Sequence, residues 1–138
     1  MTEPTFADWL AICNLKARYC RLLDTKDWAG WGDLFTEDCR LDTTGSGGTV
    51  EQGREAIVAS VRAAIHPAKT AHQVHSPEII IEGDSARATW AMQDRVMWEG
   101  RALTGYGHYI EQYRRCADGE WRIADQKLTR LIVEFDEG

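Results

Sequence analysis

The fold of this chain is decided by residues 70–98, TAHQVHSPEIIIEGDSARATWAMQDRVMW. Two runs rich in β-branched, aromatic and other apolar residues flank the turn Glu82-Gly83-Asp84, which is the pattern of a β-hairpin. Two similar runs follow after turns at residues 99–101 and 117–120. The second half of the chain is therefore predicted to form a four-stranded antiparallel meander, with strands at Thr70–Ile81, Ser85–Trp98, Leu103–Cys116 and Trp121–Val133.

The first half of the chain has mainly the helical period. Thr5 and Asp8 have the spacing of a capping pair at the start of a long apolar arc, and Asp27 can cap a second, glycine-containing helix. We expect helices at residues 5–24, Trp28–Phe35 and Arg54–Ile65, a break at Thr36–Asp38, and a short hairpin of Cys39–Thr43 with Thr49–Gly53. Helices followed by a meander predict an α+β fold, with the helices on one face of a curved sheet.

Length and composition limit the classes of function. A chain of 138 residues fits one domain over residues 1–138, and a net charge of −6 with a pI near 5.2 argues against nucleic acid or an anionic membrane as partner. No apolar run has the roughly 18 residues of a membrane span, and the first residues lack a secretory signal pattern. The four cysteines lack metal-site spacing, so we expect reduced thiols, a cytoplasmic protein, and no metal or other cofactor.

Two charged residues fall on the apolar arc of the first helix. Lys16 has a long stem that can carry its amine to water, whereas Asp24 is too short to do so. Asp24 either ends the helix or caps the next one, or it points into the core and has a partner there. A buried carboxylate without a partner is costly, so the second reading requires another polar residue nearby.

His72 is the candidate partner. Alternation along its strand places His72, Val74 and Ser76 on the more apolar face and His75 on the other. A lone histidine on such a face is most often a satisfied core residue, but together with Asp24 it suggests an acid–base dyad in one pocket. The carboxylate would accept the Nδ1–H and leave Nε2 as a general base, while Tyr19 would hydrogen-bond a substrate oxygen.

Three motifs resemble a known family. They are Tyr19-x4-Asp24, then Trp31-x-x-Leu34-Phe35-x-x-Asp38, then His72-x-x-His75-Ser-Pro-Glu-Ile79. With three helices before a meander, the chain from about Phe6 to Phe135 resembles the cone-shaped fold of the nuclear transport factor 2-like superfamily. Within it, the motifs resemble the SnoaL-like branch, which includes scytalone dehydratase, bile-acid dehydratases and hexachlorocyclohexane dehydrochlorinase.

The resemblance implies specific roles. Asp24 and His72 match the dyad of this branch, and Tyr19 matches the tyrosine of the bile-acid dehydratases, where dehydrochlorinase-like members carry lysine. A second histidine of scytalone dehydratase has no counterpart at residues 95–97. Tyr109 and Arg115 fall on later strands that line the pocket in related proteins. Trp28, Trp31, Trp90 and Met92 are candidate apolar pocket walls, although all four also suit plain core or an interface.

The leading expectation is an enzyme without a cofactor, a dehydratase (lyase) or isomerase. Its substrate would be a hydroxylated, largely apolar cyclic metabolite of polyketide, steroid-like or aromatic type. One alternative is a non-catalytic small-molecule-binding or assembly module, such as the small subunit of a ring-hydroxylating dioxygenase. Another is an epoxide hydrolase using Asp24 with Asp42 or Asp94. An exposed sheet face in this fold usually finds a partner, so we expect a homodimer or homotrimer; a protein that needs a larger partner would instead favour the assembly module.

Overall fold

The computed structural model describes residues 3–137, with the backbone alone for Glu137. In this range six strands form one sheet in the order β2-β1-β6-β5-β4-β3, in which β1 and β6 are parallel and all other neighbours antiparallel. The elements are α1 (Phe6–Asp24), α2 (Trp28–Gly32), β1 (Phe35–Asp42), β2 (Val50–Gln52), α3 (Arg54–Ile65), β3 (Lys69–Glu82), β4 (Ser85–Trp98), β5 (Arg101–Arg115) and β6 (Trp121–Glu137). The predicted α+β fold, with helices against a curved mixed sheet, is confirmed.

Helix α1 begins where the sequence predicts. The Thr5 hydroxyl accepts from the Asp8 amide at 3.1 Å, and the Asp8 carboxylate accepts from the Thr5 amide, which is a complete capping box. Its inner face buries Ile12, Leu15 and Leu23 in the main core. Because α1 lies against β3, its last residue ends beside the first residues of that strand.

The second helix is shorter than the predicted Trp28–Phe35. Helix α2 ends at Gly32, and Phe35 already belongs to β1, where it pairs with Ile123 of β6. Residues 36–38, predicted as a break, lie inside β1 at an irregularity between Phe35 and Arg40. The parallel ladder with β6 explains this, since it fixes the backbone of this segment more strongly than the weak helix propensity of a glycine-containing turn.

Strand β3 contains a bulge that the simple alternation missed. Ser76 has a positive φ of 49°, and the pairing with β4 shifts between His75 and Glu78. Ser76 is therefore exposed rather than on the inner face with His72, and the half-buried positions after the bulge are Pro77, Ile79 and Ile81. His72 itself precedes the bulge and keeps its predicted inward orientation.

The outer face of the sheet carries apolar side chains. Tyr106, Ile110 and Ile132 are exposed there, on β5 and β6. The expected homodimer or homotrimer stays a prediction. So does the single domain over residues 1–138, of which residues 1, 2 and 138 lie outside the described range. No helix within residues 3–137 has the length and apolar character of a membrane span.

The prediction that Lys16 reaches water was wrong. Its side chain is fully buried, and its ammonium lies 2.7 Å from the Glu111 carboxylate of β5. The same ammonium stands 3.4 Å from the ring centroid of Tyr19 and 3.8 Å from that of Tyr109. Tyr113 donates its hydroxyl proton to the other oxygen of Glu111. An ion pair with two aromatic faces replaces the hydration that Lys16 loses, and it links α1 to the sheet.

We expect Lys16→Met to lower the free energy of unfolding by about 3–5 kcal/mol, because it leaves the Glu111 carboxylate buried and unpaired. The double variant Lys16→Met/Glu111→Gln should recover most of that loss, since no charge then remains inside. Urea unfolding followed by tryptophan fluorescence measures both. A double variant no more stable than the single one would contradict the pairing.

Candidate active site

Asp24 and His72 form a direct contact. The Nδ1 atom of His72 lies 2.7 Å from Oδ1 of Asp24, and the backbone amide of His72 donates to Oδ2 at 2.8 Å. The Thr70 hydroxyl donates to Oδ1 at 2.9 Å. Exposure is 8% for the His72 side chain and 22% for that of Asp24. Three donors from one strand therefore hold the carboxylate, and His72 is fixed with Nε2 as its remaining ring nitrogen.

The ends of two elements produce this geometry. Asp24 is the last residue of α1. His72 lies near the start of β3, which passes the end of that helix. The cap of α2 is Asp27, whose carboxylate accepts from the Gly30 amide at 3.0 Å. Asp24 therefore does not cap α2, and its carboxylate is available for the contact with β3. Lys26 supports it by donating to the Thr70 hydroxyl at 2.8 Å.

A cavity of about 470 Å³ opens beside the dyad histidine. Its polar lining includes Tyr19, His72, Asp94, Tyr109, Gln126 and Arg130. Its apolar lining includes Leu23, Leu41, Val61, Ile65, Val96, Trp98, Leu103, Leu128 and Phe135. Most of the wall is hydrocarbon with a few convergent polar groups, which is the usual character of a site for a small organic ligand.

Two phenols belong to this wall. Burial raises the pKa of the Tyr19 hydroxyl well above its ordinary value, and burial does the same to the pKa of Tyr109. Both groups therefore stay protonated. The amide nitrogen of Gln126 donates to the Tyr19 oxygen at 2.9 Å, which leaves the Tyr19 proton to be donated elsewhere. The lining by Tyr19 and Tyr109 agrees with their predicted positions, and their roles stay predictions.

The ion pair between Asp94 and Arg130 was not predicted from the sequence. Arg130 donates from Nη1 and Nη2 to the two oxygens of Asp94 at 2.7 and 2.9 Å, and from Nε to the Ser46 hydroxyl at 3.0 Å. Asp94 is 4% exposed and pairs across β3–β4 with His72. Asp94 shows the same sequence pattern as Asp24, a carboxylate among apolar residues. It alternates with Met92 and Val96 on the inner face of β4. The strand register needed to bring Arg130 to it was not readable from sequence.

Most of the expected wall residues lie elsewhere. Trp31 and Trp90 are core residues, and Trp90 donates to the Tyr113 hydroxyl at 2.8 Å rather than facing the cavity. Met92 is buried behind Arg130, whose Nη1 lies 3.6 Å from its sulfur. Trp28 donates its indole proton to His66 at 3.1 Å, on the far side of α2. These four side chains are large and apolar, but size and polarity alone do not distinguish a core residue from a residue of the cavity wall.

Arg115 was also misplaced. Its guanidinium binds Asp8 at 2.8 Å and Asp84 at 3.0 Å, near the start of α1 and the β3–β4 turn. Asp42, considered for an epoxide hydrolase, accepts from the amide and hydroxyl of Thr44 instead of facing the cavity. Arg115 thus joins β5 to α1 and to the β3–β4 turn, whereas Asp42 holds the turn that follows β1.

Other chemistry has little support in the described part of the chain. No group of three or more histidine, cysteine or acidic residues there could hold a metal ion, and the expectation that no metal is used stays a prediction. The four cysteines are free. Burial raises the pKa of the Cys20 thiol to about 11 and that of Cys39 to about 12, so neither is an activated nucleophile at neutral pH.

The fold is that of two solved proteins described as having a cystatin-like fold, one of which is described as nuclear transport factor 2-like. Residues 4–127 match the model of the SnoaL-like domain. The chain belongs to this SnoaL-like family, as its motifs indicated. None of the curated proteins matches it in sequence.

Solved structures show how widely the fold is shared. A Novosphingobium aromaticivorans protein provisionally named an aromatic ring hydroxylase is 26% identical, with a TM-score of 0.87 over 99% of this chain and 96% of that one. A provisionally named scytalone dehydratase from the same species is 18% identical, with a TM-score of 0.82 over 93% and 87% of the two chains. A hexachlorocyclohexane dehydrochlorinase type 2 is 16% identical, with a TM-score of 0.84 over 96% and 90%. The last two likenesses show the fold alone.

The tautomer of His72 can be measured without a substrate. We expect neutral His72 to carry its proton on Nδ1, because the Asp24 carboxylate accepts there, while exposed His75 on the same strand exchanges between both tautomers. Long-range ¹H–¹⁵N spectra of the ring nitrogens distinguish the two forms, and Asp24→Asn should mix the forms of His72 but leave those of His75 unchanged. A His72 proton on Nε2 in the wild-type protein would contradict the geometry.

The absence of a side chain at Gly105 leaves room for the Asp94–Arg130 pair. It lies opposite Asp94 on β5, and a methyl group added there would meet Asp94 Oδ1 and Arg130 Nη1. We expect Gly105→Ala to lower the free energy of unfolding by about 1–3 kcal/mol through overpacking, measured in urea. The loss should be smaller in an Asp94→Ala background, where the guanidinium can move away. Equal losses in both backgrounds would show that the pair is not what the methyl group displaces.

Proposed function

We propose that this protein is a cofactor-independent dehydratase or isomerase acting on a hydroxylated, largely apolar cyclic compound with a nearby carbonyl. The observation that carries the proposal is the Asp24–His72 contact, which presents one imidazole nitrogen beside an apolar cavity. A carboxylate-held imidazole is a standard general base. Fixed geometry of this kind is unnecessary for a histidine that only fills space.

The reaction requires a base and a route for the leaving hydroxyl. Nε2 of His72 removes a proton from the carbon between the carbonyl and the carbinol, which gives an enolate. The enolate then forms a carbon–carbon double bond as the carbon–oxygen bond breaks, and the imidazolium returns the proton to the departing hydroxide. The products are a conjugated enone and water, and His72 regains its neutral state. Asp24 holds the ring and balances its transient charge.

Charge on the enolate oxygen needs hydrogen-bond donors. Tyr19 is suited to this role, since its own oxygen is occupied by Gln126 and its proton is available. Arg130 contributes positive potential, and its second Nη2 proton is not used by Asp94. Donors that are positioned before the reaction begins stabilise developing charge more effectively than water does.

The cavity also indicates the kind of compound it would accept. Its volume of about 470 Å³ suits a molecule of two or three fused rings, and its wall is mainly aliphatic and aromatic. Within the cavity the charge of Arg130 is balanced by Asp94. A neutral, weakly polar ligand therefore fits better than a strongly anionic one, whose carboxylate would face Glu51 and Asp94.

An assembly module remains the second candidate. The outer sheet face exposes Tyr106, Ile110 and Ile132, which a larger partner or a second copy could cover. A protein that needs a larger partner to stay in solution would favour the module, whereas a homodimer or homotrimer with a working cavity would favour the enzyme. The dyad favours the enzyme, because a purely structural subunit has no need of a cavity histidine held by a carboxylate.

The elimination is tested with a panel of cyclic β-hydroxy ketones, by the rise of the conjugated enone absorbance. We expect wild-type protein to catalyse it, and Asp24→Asn and His72→Ala each to lower kcat/KM at least about 100-fold while folding normally. His75→Ala is the matched control, because that histidine lies on the outer face of the same strand. Its activity should equal that of the wild type.

A fully active His72→Ala enzyme would overturn the dyad. Silence from the wild type on the whole panel, with the cavity shown to bind the same ketones, would favour the binding-module alternative. Far-ultraviolet circular dichroism of each variant separates lost chemistry from lost folding.

A further inference from the structure

The cavity extends from one edge of the sheet to the other. His72 lies on β3 and Glu51 on β2, which are the two outermost strands, and both residues line the cavity. Because the sheet is curved, its two edges border the same space. A ligand held at the dyad can therefore extend toward β2, whose polar groups the proposed reaction does not use.

Glu51 occupies an inward position on β2. The residues on either side of it, Val50 and Gln52, are exposed, whereas Glu51 is half-buried. It pairs with Leu41 of β1, which is 4% exposed and belongs to the core. Residues directly opposite each other on neighbouring strands lie on the same face of a sheet. The Glu51 carboxylate thus stands on the inner face, where an apolar side chain would be expected.

Only one oxygen of this carboxylate has a partner in the protein. Oε1 accepts from the Thr49 hydroxyl at 2.8 Å, and no described residue donates to Oε2. No described lysine or arginine forms an ion pair with Glu51. Oε2 is also not among the buried side-chain atoms that lack a partner, so it is accessible. Since an ionised carboxylate only accepts hydrogen bonds, a ligand group that binds here must be a donor.

The charge of the cavity wall favours a neutral donor. The charged side chains of its described lining are two carboxylates and two guanidiniums, Glu51, Asp94, Arg101 and Arg130. Their charges cancel, so an ammonium group would leave the cavity with an excess positive charge. An anionic group would face the Glu51 carboxylate directly. A hydroxyl group donates to Oε2 and adds no charge to a largely apolar space.

We propose that Glu51 is a specificity-determining residue, whose Oε2 accepts a hydrogen bond from a hydroxyl group at the end of the ligand remote from the dyad. This inference rests on the proposed function and deepens it by naming a second hydroxyl, distinct from the one that leaves, as a feature of the substrate. A ligand without that hydroxyl is discriminated against, because it displaces water from Oε2 and leaves a charged oxygen unpaired.

The test uses two benzophenones, which have a carbonyl group and two rings but cannot undergo elimination. The para-hydroxy compound carries a terminal donor, and the para-fluoro compound has nearly the same shape without one. We expect the wild type to bind the para-hydroxy compound about tenfold more tightly, measured by titration calorimetry. Glu51→Met keeps the side-chain length and removes the acceptor, so it should bind both compounds about equally. Glu78→Met, at an exposed position of β3 outside the cavity, is the matched control and should keep the wild-type preference.

The dyad histidine offers a second acceptor, because Nε2 of His72 is the ring nitrogen that Asp24 does not hold. His72→Ala is therefore measured with the same two compounds. A preference that is kept in His72→Ala and lost in Glu51→Met supports the inference. A preference that is lost in His72→Ala and kept in Glu51→Met assigns the hydroxyl to the dyad and overturns the inference.

The remaining outcomes separate this inference from the proposed reaction. Wild-type protein that binds both compounds equally, or binds neither, overturns the role of Glu51 whether or not any variant folds. Loss of the preference in Glu78→Met as well as in Glu51→Met overturns it too, because removal of any negative charge would then be sufficient. Loss in Glu51→Met but not in Glu78→Met supports it even if no β-hydroxy ketone is converted, and in that case only the elimination chemistry fails.

Discussion

The cost of taking charge out of water organises this small domain. Asp24, Lys16 and Asp94 each lie inside or at the edge of the interior, and each is paired with a residue from a different element: His72, Glu111 and Arg130. Because a buried charge without its partner is strongly destabilising, each pair fixes the relative position of two elements. The first two pairs attach α1 to β3 and β5, and the third joins β4 to β6 across β5.

Three residues of these pairs, His72, Asp94 and Arg130, line the cavity in place of hydrocarbon. A floor of leucine and valine would close by packing, as interiors of proteins normally do. Here the phenols of Tyr19 and Tyr109 rest on the Lys16 ammonium, and their hydroxyls belong to the wall. Polar groups whose partners are fixed resist collapse, so space remains between them and the apolar side chains of the lining.

Sequence reasoning predicted the fold well because its signals are local. The capping box of α1, the turn at residues 82–84 and the bounds of α3 and β4 need only neighbouring residues to be recognised. It placed Asp24 and His72 together because each was a polar residue on an apolar face. It failed where pairing between distant segments decides the local structure. One such segment is β1, which is a strand because β6 lies beside it. Lys16 shows the same limit, since its partner Glu111 is 95 residues away.

Buried polar groups in the core are only partly satisfied. The chain from Trp90 through Tyr113 to Glu111 is complete. The indole nitrogens of Trp31 and Trp121 and the Thr36 hydroxyl, by contrast, have no partner among the described residues. At the cavity, Oε1 of Gln126 has no partner among the described residues, and Nε2 of His72 is the ring nitrogen that Asp24 does not hold. A sequence under selection for stability alone would remove such groups, because each lowers the stability of the unliganded fold. The proposed role in ligand binding accounts for such groups in the cavity wall, and it does not account for those in the core.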